Sequence, residues 1–510
     1  MSNQNAAAYF VDRHLAEGRA EKSAFIEADG QKRSITYGGL AAQSDRMAAL
    51  YARHGIRREE RVAMLVLDTI EFPVIFWGSL KAGVVPIAIN TLLATDVYET
   101  ILRDSRATVL FVSAALLDVV VPLAGKIETL QRIFVIGGKD HSHADFAAEL
   151  EQSEALPMLE ASADESAFWL YSSGSTGQPK GVRHVHGSLK FTADTYGAQV
   201  LGIKEEDVVY SAAKFFFAYG LGNAMSFPMS VGATTVILSG RPTPGGVIDI
   251  LNTHKPTVFC GVPTLYAALN ATLETGRGEI TTKLRRCISA GEALPAEVGK
   301  GWESHTGCEI LDGVGSTEML HIFLSNRPGE VAYGTSGVAV PGYKLRLVDE
   351  SGEAVGAGEI GELLVNGNSA ASDYWNQRDK SRATFEGVWT RTGDKYEMRE
   401  DGRYVYCGRT DDMFKVSGIW VSPFEVEQAL ITHPSVLEAA VVPARDEEDL
   451  EKPKAFVVLK EGAAMDGLEE QLKEHVKQSI GKWKYPRWIV VADDLPKTAT
   501  GKIQRFKLRG

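Results

Sequence analysis

Tyr171-Ser-Ser-Gly-Ser-Thr-Gly-Gln-Pro-Lys-Gly181 is the stretch on which the reading of this chain turns. It gathers four aliphatic hydroxyls (Ser172, Ser173, Ser175, Thr176), three glycines (Gly174, Gly177, Gly181) and Lys180. Glycine lets a backbone turn tightly and approach a ligand, so that successive N–H groups converge on an anion. The hydroxyls add adaptable donors, and the lysine adds a point charge suited to phosphate. The apolar run Ala167-Phe-Trp-Leu-Tyr171 just before it reads as a buried strand. A strand that opens into a phosphate-cradling loop implies a nucleoside triphosphate as ligand. The Walker-type loop G-x-x-x-x-G-K-[ST] is excluded, because counting from Gly174 places Pro179 at the second glycine and Gly181 at the metal-binding hydroxyl. A Gly/Ser-rich surface turn has the same composition, so the loop needs support from elsewhere in the chain.

The 510 residues suggest two to four domains. Composition, with 44% hydrophobic and 24% charged residues, is that of a globular protein. The formal net charge of −12, with no sustained basic run, argues against nucleic-acid binding. Phosphate recognition must therefore be local. Cys260, Cys287, Cys308 and Cys407 stand far apart without a C-x-x-C pair, which suggests neither a zinc site nor a disulfide framework. The first residues lack a signal-peptide pattern, and the apolar stretch from Val109 to Gly125 is interrupted by Asp118. These features lead us to expect a cytoplasmic protein with no membrane partner.

The first third alternates helical and strand patterns. Arg61 to Leu67, Ala107 to Val112 and Gln131 to Ile136 read as strands, and Leu40 to His54 as an amphipathic helix. A second such region carries strand patterns at Thr234 to Leu238, Thr257 to Cys260 and Arg286 to Ser289. Both predict parallel α/β sheets. From about Tyr333 to Tyr406 short glycine-punctuated strands, such as Lys344 to Val348 and Gly361 to Val365, predict a small β subdomain. Mixed α/β texture returns after Gly408. The expected organisation is an N-terminal domain over 1–408 and a smaller α+β domain over 409–510.

Three further segments carry chemistry. Asp312-Gly-Val-Gly-Ser-Thr-Glu318 offers close backbone approach, a hydroxyl and a hard carboxylate oxygen suited to Mg²⁺. Thr390-Arg-Thr-Gly-Asp394 ends on a carboxylate able to accept from a ribose, and Pro496-Lys-Thr-Ala-Thr-Gly-Lys502 sets a lysine after a glycine turn. Each alone reads equally as a polar turn or a solvated tail.

Together, YSSGSTGQPKG, GSTE, TGD, GRTDD with Gly418, and PKTATGK follow the order and spacing of the adenylate-forming superfamily of acyl-CoA synthetases, which the chain resembles from about Phe25 to its end. Lys214-Phe-Phe-Phe-Ala-Tyr-Gly-Leu-Gly-Asn223, Ser316-Thr-Glu-Met-Leu-His-Ile-Phe323 and Gly418-Ile-Trp-Val-Ser-Pro-Phe424 look like the benzoate and 4-hydroxybenzoate CoA ligases. One departure stands out. Many members carry an adenine-stacking aromatic just before the glycine of the GSTE motif, and Val314 stands there in this chain.

The resemblance implies a large N-terminal domain of two α/β sheet subdomains and a small β-barrel, with a smaller mobile C-terminal domain. It implies ATP and Mg²⁺, with CoA as co-substrate, and activation of an aryl acid to an aryl-adenylate followed by transfer to the CoA thiol. Carried over residue by residue, Ser172, Ser173, Gly174, Ser175, Thr176, Gly177 and Lys180 hold the phosphates, and Glu318 binds the metal beside Ser316 and Thr317. Gly291, Glu292, Ala293, Asp312 and Gly313 frame the adenine. Asp394 and Arg409 hold the ribose, and Lys502 reaches the acid's carboxylate and the α-phosphate. The catalytic set is thus Lys502, Thr176, Lys180 and Glu318. Ala218, Tyr219, Gly220, Gly313, Val314, Gly315, His321 and Ile322 form the aryl pocket, with His321 as wall or as donor to a ring hydroxyl. Lys415, Val416, Ser417 and Gly418 line the pantetheine tunnel, and Asp411 is the hinge. His184 and His186 are structural, and Trp483, Lys484, Tyr485 and Arg487 read as lobe surface. A different acid, or a carrier-protein thiol as acceptor, is the alternative. The oligomeric state, monomer or homodimer, stays open.

Overall fold

The computed structural model describes residues 3–138, 142–173, 178–410, 412–416, 419–447, 450–482, 484–497 and 503–509. The chain divides into two compact units, one of residues 1–344 with 365–390, the other of 345–364 with 391–510. Strands upstream of Gly408 group with the C-terminal stretch in the second unit.

Two sheets build the first unit. In the eight-stranded sheet the order is Asp373–Tyr374, Pro179–Val185, Ser166–Ser173, Val85–Ala88, Arg61–Leu65, Val109–Ser113, Arg132–Ile136 and Ala144–Asp145. Pairing is parallel from Ser166–Ser173 onward and antiparallel at the other end. The nine-stranded sheet runs Val338–Ala339, Ile322–Ser325, Ile310–Gly315, Arg286–Ser289, Val258–Gly261, Val208–Ser211, Thr234–Ile237, Ser23–Glu27 and Ser34–Thr36. Its central strands are parallel and buried along their length, as the continuous apolar runs of the sequence require.

The helix Tyr37–Arg53 shows how local sequence sets this packing. Thr36 Oγ1 accepts from Gly39 N at 3.0 Å and caps it. Tyr37, Leu40, Ala41, Ser44, Met47, Leu50 and Tyr51 fall on one face, and all are buried. That face meets the helix Glu71–Lys81, which is buried almost throughout. The approach needs Gly78, since a Cβ there would lie 2.4 Å from Met47 Cγ. At the far end Lys81, 1% exposed, donates to Asp12 Oδ1 at 2.5 Å and Asp45 Oδ1 at 2.6 Å. Stacking of Phe72 on Phe215, with centroids 4.9 Å apart, joins this layer to the loop that opens the second half of the unit.

The second unit has its own core. The strands Val436–Arg445 and Glu451–Leu459 pair antiparallel, and Trp488–Val491 joins them in parallel. Pro423–Ile431 and Leu468–Ile480 cover this sheet through Val426, Leu430, Leu472 and Val476. Pro423 at the first turn and Ser422 Oγ, accepting from Glu425 N at 3.1 Å, start the first of these helices. The strands Trp389–Met398 and Tyr404–Arg409 form a hairpin.

Lys81 offers a stability test. Removing it leaves two carboxylates facing each other beneath buried helices, and breaking a buried ion pair costs about 3–5 kcal/mol. Lys81→Ala should lower the free energy of unfolding by that amount in a denaturant titration. The triple change Lys81→Met, Asp12→Asn, Asp45→Asn should recover most of it.

Candidate active site

The opening segment belongs to a hairpin. Ser166–Ser173 pairs with Pro179–Val185, with Ser173 opposite Pro179, Ser172 opposite Lys180 and Tyr171 opposite Gly181. Gly174, Ser175, Thr176 and Gly177 at its tip lie outside the described residues. Gly181 has no side chain because the Tyr171 ring lies over it, its Cζ 3.2 Å from where a Cβ would stand. Tyr171 in turn donates to Asp104 Oδ2 at 2.6 Å. The hairpin thus delivers Lys180 from a rigid base.

Lys180 meets Tyr374 and Glu318. Its Nζ donates to Tyr374 Oη at 3.2 Å and stands 3.6 Å from Glu318 Oε1. Tyr374 Oη donates to that same oxygen at 2.8 Å. The expected phosphate lysine and metal carboxylate are therefore brought together. Tyr374 was not among the expected residues. The sequence places it 194 positions from Lys180 and 56 from Glu318, with no local pattern that would mark it.

Backbone ties hold the group in place. Along the strand Pro179–Val185, Trp375 N donates to Gly181 O and Ser372 N to Arg183 O. Ala371 N donates to Glu318 O at 2.7 Å. His184 Nε2 sits 2.8 Å from Thr317 O, and burial lowers its pKa to about 4, so the neutral ring donates. His184 is structural, as expected, with the specific task of fastening the Ser316–Glu318 turn to the lysine strand. His186 likewise accepts from Ala6 N at 3.1 Å.

Asp312 lies on the strand Ile310–Gly315, in register with Ser289 of the neighbouring strand. It is buried, and burial holds its carboxyl well above the usual range. Oδ2 accepts from Leu294 N at 3.4 Å, and Oδ1 finds no hydrogen-bond partner among the described residues. Gly291, at φ +98°, begins the turn through Glu292 and Ala293 that Asp312 caps. The expected adenine frame is thus one contiguous ledge, with Gly313 beside it, where a Cβ would crowd Ile322 Cγ2 at 2.9 Å.

Among the residues expected at the aryl pocket, the structure gathers Tyr219 against His321. Its ring packs against Phe227, Tyr196 and Tyr219 at 4.5, 5.1 and 5.8 Å between centroids. Nε2 faces Tyr219 O at 3.3 Å, whereas Nδ1 has no partner among the described residues. Burial lowers the pKa to about 3, so the ring is neutral. A carbonyl can only accept, so the proton resides on Nε2 and Nδ1 is an acceptor. Small residues make the room: a Cβ on Gly222 would lie 2.3 Å from His321 Cδ2, one on Gly315 2.5 Å from His321 O, and one on Gly220 2.0 Å from Lys214 O. Tyr219 is pinned by its hydroxyl, which donates to Gly261 O at 3.0 Å and lies 3.2 Å from Ile288 O. Ala218 starts the short helix that carries it. Val314 and Ile322 sit on paired strands.

In the second unit, Asp394 and Arg409 are directly opposed across the hairpin, with Arg409 Nη1 donating to Asp394 Oδ1 at 3.0 Å. Gly393, at φ +70°, leaves room for the guanidinium, since a Cβ would lie 2.9 Å from Nη2. Val416 is buried in the core of this unit. Lys415 lies on the strand Phe414–Val416, paired with Trp420. Asp411, Ser417, Gly418, Trp483 and Lys502 lie outside the described residues. Either side of the last, Lys497 and Ile503 form an antiparallel bridge, and Gln504 N donates to Pro496 O at 2.7 Å. Lys484 is engaged by Glu425 at 2.6 and 2.7 Å, and Arg487 lies over Tyr485, which fits a lobe surface.

The neutral His321 gives a pH prediction. Its folded pKa of about 3 lies below the ordinary 6.5. The unfolded chain therefore takes up the proton first, and this histidine's contribution to stability is full above pH 6.5 and lost as pH falls toward 3. Its ring ¹⁵N resonances should show no titration step between pH 8 and pH 4. A step near 6.5 would place the ring in solvent.

Comparison with known proteins agrees with this geometry. The model of the AMP-binding enzyme family matches residues 12–375, and that of the AMP-binding enzyme C-terminal domain matches residues 425–502. The chain is 52% identical to the 4-hydroxybenzoate–CoA/benzoate–CoA ligase of Rhodopseudomonas palustris, covering 100% of this chain and 94% of the relative. It is 54% identical to the benzoate–CoA ligase of Thauera aromatica, over 99% and 95% of the two chains. The crystal structure of a benzoate CoA ligase from Burkholderia xenovorans LB400 superposes with a TM-score of 0.91 at 48% identity, covering 100% of both chains. An anthranilate CoA ligase in complex with anthranoyl-AMP gives 0.93 at 41% identity, over 99% of this chain and 96% of that one. A family model spanning most of the chain, and relatives this similar from end to end, have one reading: this protein belongs to the AMP-binding enzyme family.

Proposed function

We propose that the chain is an AMP-forming aryl-CoA ligase acting on benzoate or a hydroxybenzoate. The observation that carries the reading is the approach of Lys180 and Glu318 to 3.6 Å at the base of the Gly/Ser-rich hairpin. A magnesium-bound triphosphate needs such a cation and such a carboxylate side by side. The near-complete identity coverage with benzoate and hydroxybenzoate CoA ligases supports the substrate class.

A carboxylate resists a thiol because its charge repels nucleophiles and oxide is a poor leaving group. In the proposed reaction the acid's oxygen attacks the α-phosphorus of ATP, the α–β bridging bond breaks, and pyrophosphate leaves. The CoA sulfur, giving up its proton, then attacks the acyl carbon, and AMP departs. Splitting the transfer in this way lowers each barrier without a protein nucleophile. Lys180 and the hairpin N–H groups face the β- and γ-phosphates. Mg²⁺ fits a site with one carboxylate, because it binds through one or two carboxylates plus substrate phosphates, and Glu318 would supply that carboxylate while the ion neutralises phosphate charge. Among the described residues no three His, Cys, Asp or Glu side chains gather as a protein-only metal cage. Asp312 and the Gly291–Ala293 turn are assigned to adenine, Asp394 and Arg409 to the ribose hydroxyls, Lys502 to the carboxylate and α-phosphate, and Asp411 to the hinge. Val314 leaves the base to apolar contact and backbone.

The aryl pocket is apolar and flat-walled, with one buried acceptor in His321 Nδ1. A benzoate ring fits the aromatic walls, and a ring hydroxyl or amine could donate to that nitrogen. Among the described residues no helix is long and apolar enough to cross a membrane.

Two measurements test the proposal. Pyrophosphate release should require both Mg·ATP and an aryl acid, and kcat/KM should be highest for benzoate or a hydroxybenzoate across a panel with CoA. Faster turnover of aliphatic acids would sink the substrate class. Lys502→Ala should slow adenylation by about 10²–10³, the usual loss for one electrostatic group. It should leave thioester formation from preformed benzoyl-AMP intact. Equal loss in both steps would remove Lys502 from the α-phosphate.

A further inference from the structure

We infer that Tyr374 is a positioning residue for adenylation, its hydroxyl holding Glu318 and Lys180 apart and aimed for Mg·ATP. The inference rests on the reading just proposed and assigns a role to a side chain outside the expected set.

Tyr374 belongs to the two-residue strand Asp373–Tyr374 at the edge of the eight-stranded sheet. It pairs with Val182, so its backbone is fixed to the strand that carries Lys180. The neighbouring Asp373 is clamped by Arg183, with contacts of 2.6 and 2.5 Å. Tyr374 N donates to Ser381 Oγ at 3.0 Å. The side chain is 4% exposed and packs with Val182, Ala371 and Phe385. Burial of this kind allows the ring little freedom.

The hydroxyl therefore has a fixed location, between the two charges. It gives its proton to Glu318 Oε1 at 2.8 Å and takes a hydrogen bond from Lys180 at 3.2 Å. The ammonium also lies 4.3 Å from the centre of the tyrosine ring, where the quadrupole attracts it. A lysine and a glutamate left to themselves close to direct contact near 2.8 Å, the ordinary charge-assisted distance. Here they stand at 3.6 Å. A collapsed pair would spend on each other the charges that the phosphates and their metal require. The tyrosine satisfies both in part with a neutral group, so each exchanges a weak partner for a strong one when Mg·ATP arrives. The same bond fixes the Glu318 carboxylate in orientation.

The arrangement differs from a merely structural hydroxyl in what it should affect. Packing residues alter stability and both half-reactions alike. A hydroxyl that sets the lysine–glutamate geometry affects Mg·ATP alone.

Tyr374→Phe tests this, because it keeps the ring and its packing and removes one oxygen. Binding of Mg²⁺ with the non-hydrolysable α,β-methylene analogue of ATP, measured by calorimetry, should weaken about 10- to 100-fold, the size of a hydrogen bond to a charged group. The kcat/KM for Mg·ATP in adenylation should fall by a similar factor. KM for benzoate and the rate of thioester formation from preformed benzoyl-AMP should stay within about twofold of wild type. Unchanged analogue affinity, or equal loss in both half-reactions by a folded variant, overturns the inference. Should the Phe variant fail to fold, a 4-aminophenylalanine placed at 374 keeps the shape and replaces the hydroxyl by a weaker donor. Analogue affinity should then fall severalfold, and an affinity equal to wild type overturns the inference. Wild-type protein that makes no benzoyl-AMP would instead refute the proposed function, whatever Tyr374 does.

Discussion

One strand, Pro179–Val185, bears the candidate site of the first unit. Along its length it pairs with Ser166–Ser173 on one side and Asp373–Tyr374 on the other. It carries Lys180 near its start and His184 near its end, and His184 reaches across to Thr317 O. Three segments far apart in sequence are thus tied to a single extended backbone. Hydrogen bonds of a β ladder have little freedom, so the lysine, the GSTE turn and the tyrosine keep a common frame. Where a phosphate grip must hold a leaving group without grasping it covalently, this rigidity matters more than the strength of any one contact.

The pocket around His321 solves a different problem. A neutral imidazole inside an apolar wall leaves an acceptor without bringing in a charge, and burial enforces that neutrality. The space comes from glycines. Gly220, Gly222 and Gly315 each stand where a single added carbon would strike a carbonyl or the imidazole. Asp68, buried behind the same loop with both carboxylate oxygens 3.3 Å from Phe215 N, has its pKa pushed up to about 6 by burial.

Much of this was legible in the sequence, and the reasons differ by element. The strands Arg286–Ser289 and Lys344–Val348 fall where their patterns place them, the first because a strand within a sheet core must be apolar, the second because an edge strand with one covered face alternates. The helix Tyr37–Arg53 starts three residues before the apolar period does, since Thr36 and its cap define the first turn. Lys180 and Glu318 were legible through motif order, and the structure brings them together. Tyr374 was not, because its role arises from a two-residue edge strand that no periodicity can announce. The surroundings of His321 were not legible for a similar reason: the Tyr219 carbonyl that faces it lies 102 positions away.

In the second unit the residues on either side of the segment 498–502 have firm partners. Arg505 follows Lys502 by three positions and is bound at 2.9 and 2.6 Å by Glu427, a buried carboxylate on the helix Pro423–Ile431. Glu427 Oε1 also accepts from Val441 N at 2.7 Å, and Asp412 takes contacts from Arg505 and Arg509. Buried pairs of this kind add little net stability, since desolvation cancels most of the attraction. Their effect is on position. With Lys497 bridged to Ile503 before it and Arg505 neutralised after it, the segment between has fixed ends. The arginine's charge is spent within the unit, and a guanidinium locked by carboxylates gives placement without leaving a free charge of its own beside the segment that it anchors.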